Sequence, residues 1–365
     1  MGNGFTCMPG KDPRRGTSGG GFGSRSKRVS GSGLGSWRKR GMSEEDEMLH
    51  RQALAIARQQ LSQRFEGSMS RRVDGSMSRR IGAGGNGAVS SRRRDLPDSV
   101  KQPPIVLENL ETKKIVLIHG EGFGAWCWYK TMSMLEETGL EPVALDLTGS
   151  GIDNTDVNSI TTLEEYSKPL INYLSTLGDD EKVIVVAHSC GGACLSFIME
   201  HCPGKISKAV FLAATMVKDG QKPFDVFTQE LASADILLQE SQFLLYGNGK
   251  DKPPTGLKFD KQQIKALYFN QTPTKDIALA TVSMRPIPLA PIMEKISLTP
   301  EKYGTVRRFY IQTLEDMMLS ADVQEKLVRE SPPHGIFKIK GGDHCPFFSK
   351  PQALNKILLE IAQIH

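Results

Sequence analysis

The chain has 365 residues, 39% of them hydrophobic, which allows one large domain or two ordinary ones. Residues 1–104 hold 20 Lys and Arg against 9 Asp and Glu, a net charge of +11, whereas residues 105–365 hold 26 against 32 and are net −6. The acidic second segment argues against a nucleic-acid partner, and the absence of an apolar run of about 18 residues argues against a transmembrane helix.

Residues 1–104 are rich in Gly, Ser and Arg, and this composition buries too little apolar surface to offset the entropy lost on folding. We therefore predict a mostly disordered extension, with a short helix from Ser43, and a domain boundary between residues 104 and 105. The hexapeptide GSMSRR occurs at 67–72 and again at 75–80, a duplication too short for a repeat fold.

Three interpretations of this extension stay open. The start MGNGFTC matches the N-myristoylation pattern on Gly2, with Cys7 available for a second acyl chain, so the basic extension would contact a membrane peripherally. Its Arg and Ser content is equally typical of a chloroplast transit peptide, although the acidic cluster Glu44–Glu47 argues against one much longer than about 40 residues. In the third interpretation it is a solvated tail of a cytoplasmic protein.

From residue 105 onward, short apolar runs alternate with helix-like stretches. The runs are KKIVLIHG, EPVALDL, KVIVVAHS, KAVFLAA, RRFYIQT and GIFKIKG, and the helix-like stretches include WCWYKTMSMLEETG, TLEEYSKPLINYLSTLG and GGACLSFIMEHC. This alternation predicts an α/β fold with a mostly parallel, doubly wound sheet. Residues 215–306 are Pro-rich and irregular, and we interpret them as a helical cap insertion that covers the carboxyl ends of the strands.

The six cysteines form no CxxC pair and no zinc-type spacing, so the sequence predicts neither a metal site nor a cofactor. It leaves the oligomeric state open, and a dimer is compatible with it.

Ser189 follows the predicted strand VIVVAH and precedes Cys190, Gly191 and a helix. This is the pattern of a nucleophile elbow, G-x-S-x-G, with Ala187 in the first position. Such a turn exposes the serine hydroxyl and directs the backbone N–H of Cys190 toward the oxyanion. The alternative is a structural turn whose serine caps the helix.

The second oxyanion donor is predicted in the Gly-rich loop HGEGFG after the first strand, where the backbone N–H of Glu121 would supply it. His119, at the end of that strand, is interpreted as holding the loop rather than as the catalytic base.

The order Ser, Asp, His along the chain predicts the base near the C-terminus. His344 in KIKGGDHCPFF follows a late strand with glycines that let its loop reach back, so we predict it as the base. Asp316, three residues past the strand before it, is predicted to orient that base; Glu315, Asp322 and Asp343 are the alternatives.

From residue 114 to the C-terminus the chain resembles the plant methylesterases of the α/β-hydrolase superfamily, relatives of the salicylate-binding esterases and hydroxynitrile lyases. The shared stretches include HGEGFGAWCWYK, ALDLTGSGID, VVAHSCGGA, SMRPIP, RRFYIQTLED and IKGGDHCPFFSKPQAL. The resemblance implies hydrolysis of methyl esters of salicylate, jasmonate or indole-3-acetate by Ser189, Asp316 and His344. It also implies an apolar pocket under the cap. The long basic N-terminal extension resembles that of a subgroup expected in the chloroplast.

Three positions depart from the family pattern. Ala187 replaces a glycine, Glu121 stands where the family often has alanine, and Cys345 stands where hydroxynitrile lyases carry a lysine. We expect a serine carboxylesterase acting on small methyl esters. The alternatives are a small-acid-binding protein with weak turnover, which Glu121 favours, and hydroxynitrile lyase activity, which Cys345 disfavours.

Overall fold

The computed structural model describes residues 110–228, 242–259 and 261–365. The N-terminal extension, with its predicted helix from Ser43, its acylation pattern and the boundary between residues 104 and 105, lies outside these residues. All strands, helices and contacts given below belong to the described ranges.

The central sheet has six parallel strands in the order β2-β1-β3-β4-β8-β9, which confirms the six strands expected from the sequence. Its strands are β1 (Lys114–Ile118), β2 (Glu141–Leu145), β3 (Val183–His188), β4 (Ile206–Leu212), β8 (Arg307–Thr313) and β9 (Gly335–Ile339). Every residue of β3 and β4 is buried, as expected for strands covered on both faces.

Alternate residues of β3 enter two different hydrophobic clusters. The helices are α1 (Tyr129–Glu137), α2 (Leu163–Ser175), α3 (Gly191–His201), α4 (Pro223–Thr228), α5 (Lys261–Tyr268), α6 (Thr274–Ser283), α7 (Ala290–Met293), α8 (Ala321–Glu330), α9 (Pro346–Ser349) and α10 (Pro351–Gln363). Val183 and Val185 pack in one cluster with α2 and α3, and Ile184 and Val186 pack in the other with α1 and α10. The layers are therefore helix, sheet and helix, the doubly wound arrangement.

The insertion between β4 and β8 carries helices α4 to α7, as the sequence predicts. It also contains a small antiparallel sheet that the sequence analysis did not predict, formed by β5 (Gln242–Leu245), β6 (Gly256–Phe259) and β7 (Ile287–Pro288). These strands have at most four residues, too few to show a periodic apolar pattern.

None of the helices in the described ranges is long and apolar enough to cross a membrane.

Candidate active site

The predicted site residues lie at the carboxyl ends of three parallel strands. Ser189 directly follows β3, Asp316 lies three residues beyond the end of β8, and His344 lies in the loop after β9. All three side chains are buried. The sheet therefore brings together residues that are separated by up to 155 positions along the chain.

Ser189 sits on a strained turn. Its φ of +48° is in the left-handed region, which a residue other than glycine adopts at an energetic cost. Small neighbours make the turn possible, because a Cβ on Gly191 would lie 2.5 Å from the carbonyl O of His119 and one on Gly120 would lie 2.7 Å from the Cβ of Ser189. The sharp strand–Ser–helix turn expected from the sequence is present.

A continuous hydrogen-bond chain joins the three residues. Nε2 of His344 lies 2.8 Å from Oγ of Ser189, and Nδ1 lies 2.8 Å from Oδ2 of Asp316. Asp316 also accepts hydrogen bonds from the Thr313 hydroxyl and from the backbone N–H groups of Met318 and Leu319. The carboxylate is thus fixed in place by the loop that carries it.

The other acidic candidates point elsewhere. Glu315 and Asp322 are exposed. Asp343 is buried, but it accepts hydrogen bonds from the backbone N–H of Gln271 and the hydroxyls of Thr272 and Ser349. Asp343 therefore ties the insertion to the His344 loop and does not contact the imidazole of His344 in the described structure.

His119 holds the loop, as the sequence predicts. Its Nε2 accepts from the backbone N–H of Leu147 at 3.0 Å, and its Nδ1 lies 2.7 Å from the carbonyl O of Gly120. Accepting at Nε2 leaves the proton on Nδ1, so the ring is neutral. Burial lowers the pKa of His119, which agrees with this state.

The side chain of Glu121 lies inside the site, beside Ser189, where the weak-turnover alternative requires it. Its Oε2 accepts from the backbone N–H of Cys190 at 3.1 Å, and its Oε1 accepts from the Ser189 hydroxyl at 3.0 Å and from the Tyr268 hydroxyl at 2.6 Å. The Glu121 carboxylate therefore binds the backbone N–H of Cys190, one of the two groups predicted as oxyanion donors, and occupies the place beside it.

Burial would raise the pKa of Glu121, but the neighbouring His344 imidazole and the Tyr268 hydroxyl outweigh burial and lower it. Glu121 is therefore an anion at neutral pH. Burial would lower the pKa of His344. The carboxylates of Asp316 and Glu121 outweigh burial and raise this pKa, and Oε1 of Glu121 lies 3.9 Å from Nε2 of His344.

Tyr268 is a site residue that sequence reasoning missed. It ends helix α5 of the insertion, and its ring packs edge-on against His344 with centroids 4.9 Å apart. Phe123 and Phe347 add two further aromatic rings beside the neighbouring His188. No spacing rule connects an insertion residue to the catalytic loops, so only the folded chain reveals this contact.

Within the described ranges no group of three or more His, Cys, Asp or Glu residues is arranged to hold a metal ion.

Comparison with known proteins places this chain in a family. The profile of the alpha/beta hydrolase family matches residues 115–357. The chain is 59% identical to "Putative methylesterase 12, chloroplastic" of Arabidopsis thaliana, and the match covers 100% of each chain. It is 35% identical to methyl jasmonate esterase 1 of Vitis vinifera, over 69% of this chain and 97% of that one. Among solved structures, the methylesterase protein MES16 from Arabidopsis matches with a TM-score of 0.61 and 34% identity, over 68% of this chain and 98% of that one. The chain therefore belongs to the plant methylesterases of the α/β-hydrolase family, and it is a carboxylic ester hydrolase.

Proposed function

We propose that the protein hydrolyses methyl esters of small plant-hormone acids, the class of methyl jasmonate, methyl indole-3-acetate and methyl salicylate, with Ser189, His344 and Asp316 as a catalytic triad. The observation that carries the proposal is the hydrogen-bond chain of two 2.8 Å contacts from the Ser189 hydroxyl through His344 to Asp316. The same three roles are combined in serine hydrolases of unrelated folds.

In the proposed mechanism, Oγ of Ser189 attacks the ester carbonyl while Nε2 of His344 removes the hydroxyl proton. His344 then donates this proton to the departing methoxide, which leaves as methanol, and an acyl-enzyme remains on Ser189. Water, deprotonated by His344, hydrolyses the acyl-enzyme. Asp316 keeps the imidazole in the reactive tautomer and stabilises the imidazolium. The backbone N–H groups of Glu121 and Cys190 bind the oxyanion, at about 3–4 kcal/mol per donor.

The surroundings of the triad favour a small, apolar acyl group. Tyr268 from the insertion and Phe123 from the loop after β1 have ring centroids 6.2 Å apart, and Phe269 and Phe347 each pack edge-on against Phe123. A methyl ester offers a small leaving group that suits a buried serine. The relative named methyl jasmonate esterase 1 supports this substrate class.

The test is the release of free acid from methyl jasmonate, methyl indole-3-acetate and methyl salicylate by the full-length protein and by Ser189→Ala. We expect turnover of at least one ester and its loss in the variant. Turnover that survives Ser189→Ala would remove Ser189 from the mechanism.

A second candidate function is a receptor for small free acids with little turnover, and the buried Glu121 carboxylate beside Ser189 favours it. It predicts that jasmonate or salicylate binds, measured by calorimetry, while a fluorophosphonate does not label Ser189. Labelling of Ser189 at a rate usual for serine hydrolases would exclude this candidate.

We further propose that a segment within the N-terminal extension directs the protein to the chloroplast, because the matching Arabidopsis relative is named chloroplastic. Mass spectrometry of the N-terminus from plant tissue tests this. A mature start well past residue 1 supports import, whereas a retained, acylated Gly2 contradicts it and supports membrane contact.

A further inference from the structure

We propose that Glu121 is a built-in inhibitor of the active site: its carboxylate occupies the place that the carbonyl oxygen of the ester must take, and the ester reacts only after this carboxylate has moved out. The inference rests on the esterase function proposed above and adds a step to it. It assigns to Glu121 a role that no catalytic step requires.

The first observation is the occupied oxyanion position. The backbone N–H of Cys190, the residue after the nucleophile, donates to Oε2 of Glu121 at 3.1 Å. A backbone donor at this position of a nucleophile elbow marks where a developing oxyanion would lie. A carboxylate is a good ligand for such a site, since it is already anionic, and it competes directly with a neutral ester carbonyl.

The second observation concerns the proton of Ser189. The Ser189 hydroxyl lies 2.8 Å from Nε2 of His344 and 3.0 Å from Oε1 of Glu121, and it has one proton to donate. If the proton goes to Glu121, Nε2 of His344 must be the donor in the other bond, so His344 is then an imidazolium. That form of His344 cannot act as a base. In this arrangement Glu121 withdraws the serine proton from the base as well as filling the oxyanion position.

The third observation is the link to the insertion. The Tyr268 hydroxyl donates to Oε1 of Glu121 at 2.6 Å, and Tyr268 ends helix α5. The carboxylate is therefore held from three sides, by the nucleophile, by the turn after it and by the insertion. Movement of Glu121 out of the site requires the Tyr268 bond to break, which couples the inhibitor to the insertion that carries Tyr268.

Removal of the Glu121 carboxylate should create a binding site for small anions. Replacing Glu121 by alanine leaves a vacant site with the backbone N–H of Cys190 and the hydroxyls of Ser189 and Tyr268, which together suit a small carboxylate such as acetate or formate. The vacant site should therefore bind these anions, and the wild-type site, already filled, should not.

The experiment compares wild type, Glu121→Ala, Tyr268→Phe and Glu137→Ala in the full-length chain. Glu137→Ala removes an exposed glutamate at the C-terminal end of α1 and serves as the matched control. Two rates are measured for each: kcat/KM for the best of the three methyl esters, and labelling of Ser189 by a fluorophosphonate, whose phosphoryl oxygen needs the same oxyanion site. Ser189→Ala gives the background, and thermal melting confirms that each variant is folded.

We expect Glu121→Ala to raise both rates by about tenfold or more, since a site that is open only part of the time has an apparent affinity reduced by that fraction. Tyr268→Phe should raise them less, and Glu137→Ala should leave them unchanged. Acetate at millimolar concentration should inhibit Glu121→Ala competitively and leave the wild type unaffected.

Unchanged or lower rates in a folded Glu121→Ala variant would overturn the inference, whether or not acetate inhibits that variant. A faster labelling of Ser189 without any ester turnover would instead contradict the proposed esterase function while supporting the inhibitory position of Glu121. Ester turnover that depends on Ser189 but is not raised by Glu121→Ala would leave the esterase function standing and refute the inhibitor.

Discussion

The imidazole of His188 is bonded to the backbone of His344. Its Nε2 lies 2.7 Å from the carbonyl O of His344, and the two rings have centroids 4.8 Å apart. Because a carbonyl only accepts, Nε2 carries the proton, and the buried Nδ1 has no hydrogen-bond partner among the described residues. Burial, with a contribution from His344, lowers the pKa of His188 to about 3. His188 is therefore neutral, and its bond to the backbone of His344 leads us to predict that it positions this proposed base.

Replacing His188 by phenylalanine keeps a ring but removes this donor. We expect kcat to fall about tenfold or more with little change in KM, because the His344 loop loses a bond that fixes the imidazole relative to Ser189. The buried carbonyl left without a donor should lower the free energy of unfolding by about 1–3 kcal/mol. Steady-state kinetics and urea unfolding measure both effects. His188→Gln, which restores an N–H donor, should recover part of kcat; an equal loss in both variants would contradict a positioning role.

Asp316 is expected to be essential for turnover. In Asp316→Asn the amide can no longer fix the reactive tautomer of His344, so we predict a loss of kcat of about 10³- to 10⁴-fold, comparable to that known for other serine hydrolases. Asp343→Asn is the matched control, because Asp343 is equally buried but bonds to Thr272 and Ser349. Its kcat should fall far less. A larger loss in Asp343→Asn than in Asp316→Asn would reverse the assignment.

The charge of Glu121 should set where kcat/KM falls on the acidic side of its pH profile. His344 acts as a base only when neutral, so kcat/KM rises with pH through the pKa of His344. Asp316, Glu121 and Asp343 raise this pKa, against the effects of burial. Glu121→Gln removes one of these charges and should lower the pKa, so the acidic limb should move to lower pH.

The control for this shift is Glu137→Gln, which changes an exposed carboxyl and should leave the limb in place. His188 and Tyr268 also face the imidazole, but neither changes its charge in the pH range of the assay. His188 stays neutral there. Burial, together with the charge of Glu121, raises the pKa of Tyr268 well above that range. A limb that stays in place or moves to higher pH in Glu121→Gln would show that Glu121 does not act on His344 through its charge.

Asp276 joins the insertion to the first helix. It is buried in α6 and accepts hydrogen bonds from the Tyr129 hydroxyl at 2.7 Å and from Nζ of Lys130 at 2.6 Å. Asp276→Ala should lower the free energy of unfolding by about 2–4 kcal/mol, because a buried, paired carboxylate is lost together with two bonds. Asp180→Ala, at an exposed turn, should change it by less than about 0.5 kcal/mol. Equal urea midpoints for the two variants would contradict this role.

The glycines around Ser189 offer a direct test of the turn. A Cβ at position 191 would lie 2.5 Å from the carbonyl O of His119, whereas one at position 204 would meet nothing within 4 Å. Gly191→Ala should therefore displace the loop that carries Glu121 and reduce kcat by about tenfold or more, and Gly204→Ala should keep normal kcat. Normal activity in Gly191→Ala would show that the loop has room to move.

The core of the fold was predictable because its strands are continuous apolar runs such as VIVVAH, and burial on both faces gives such runs a clear signal. Ser189 and His344 were predicted as site residues from the order of motifs along the chain, and the parallel sheet brings their side chains within 2.8 Å of each other. The direction of the Glu121 side chain was not predictable, because it depends on donors from two other segments, Cys190 and Tyr268. The strands of the insertion were missed because each is too short for its pattern to show.

The central claim, a covalent mechanism on Ser189, is tested most directly by acid-quenched mass spectrometry of the protein mixed with a methyl ester that it hydrolyses. The peptide that contains Ser189 should gain the mass of the acyl group with loss of methanol, and the adduct should be absent from Ser189→Ala. Turnover without this adduct, or an adduct found on Glu121 instead, would contradict the account.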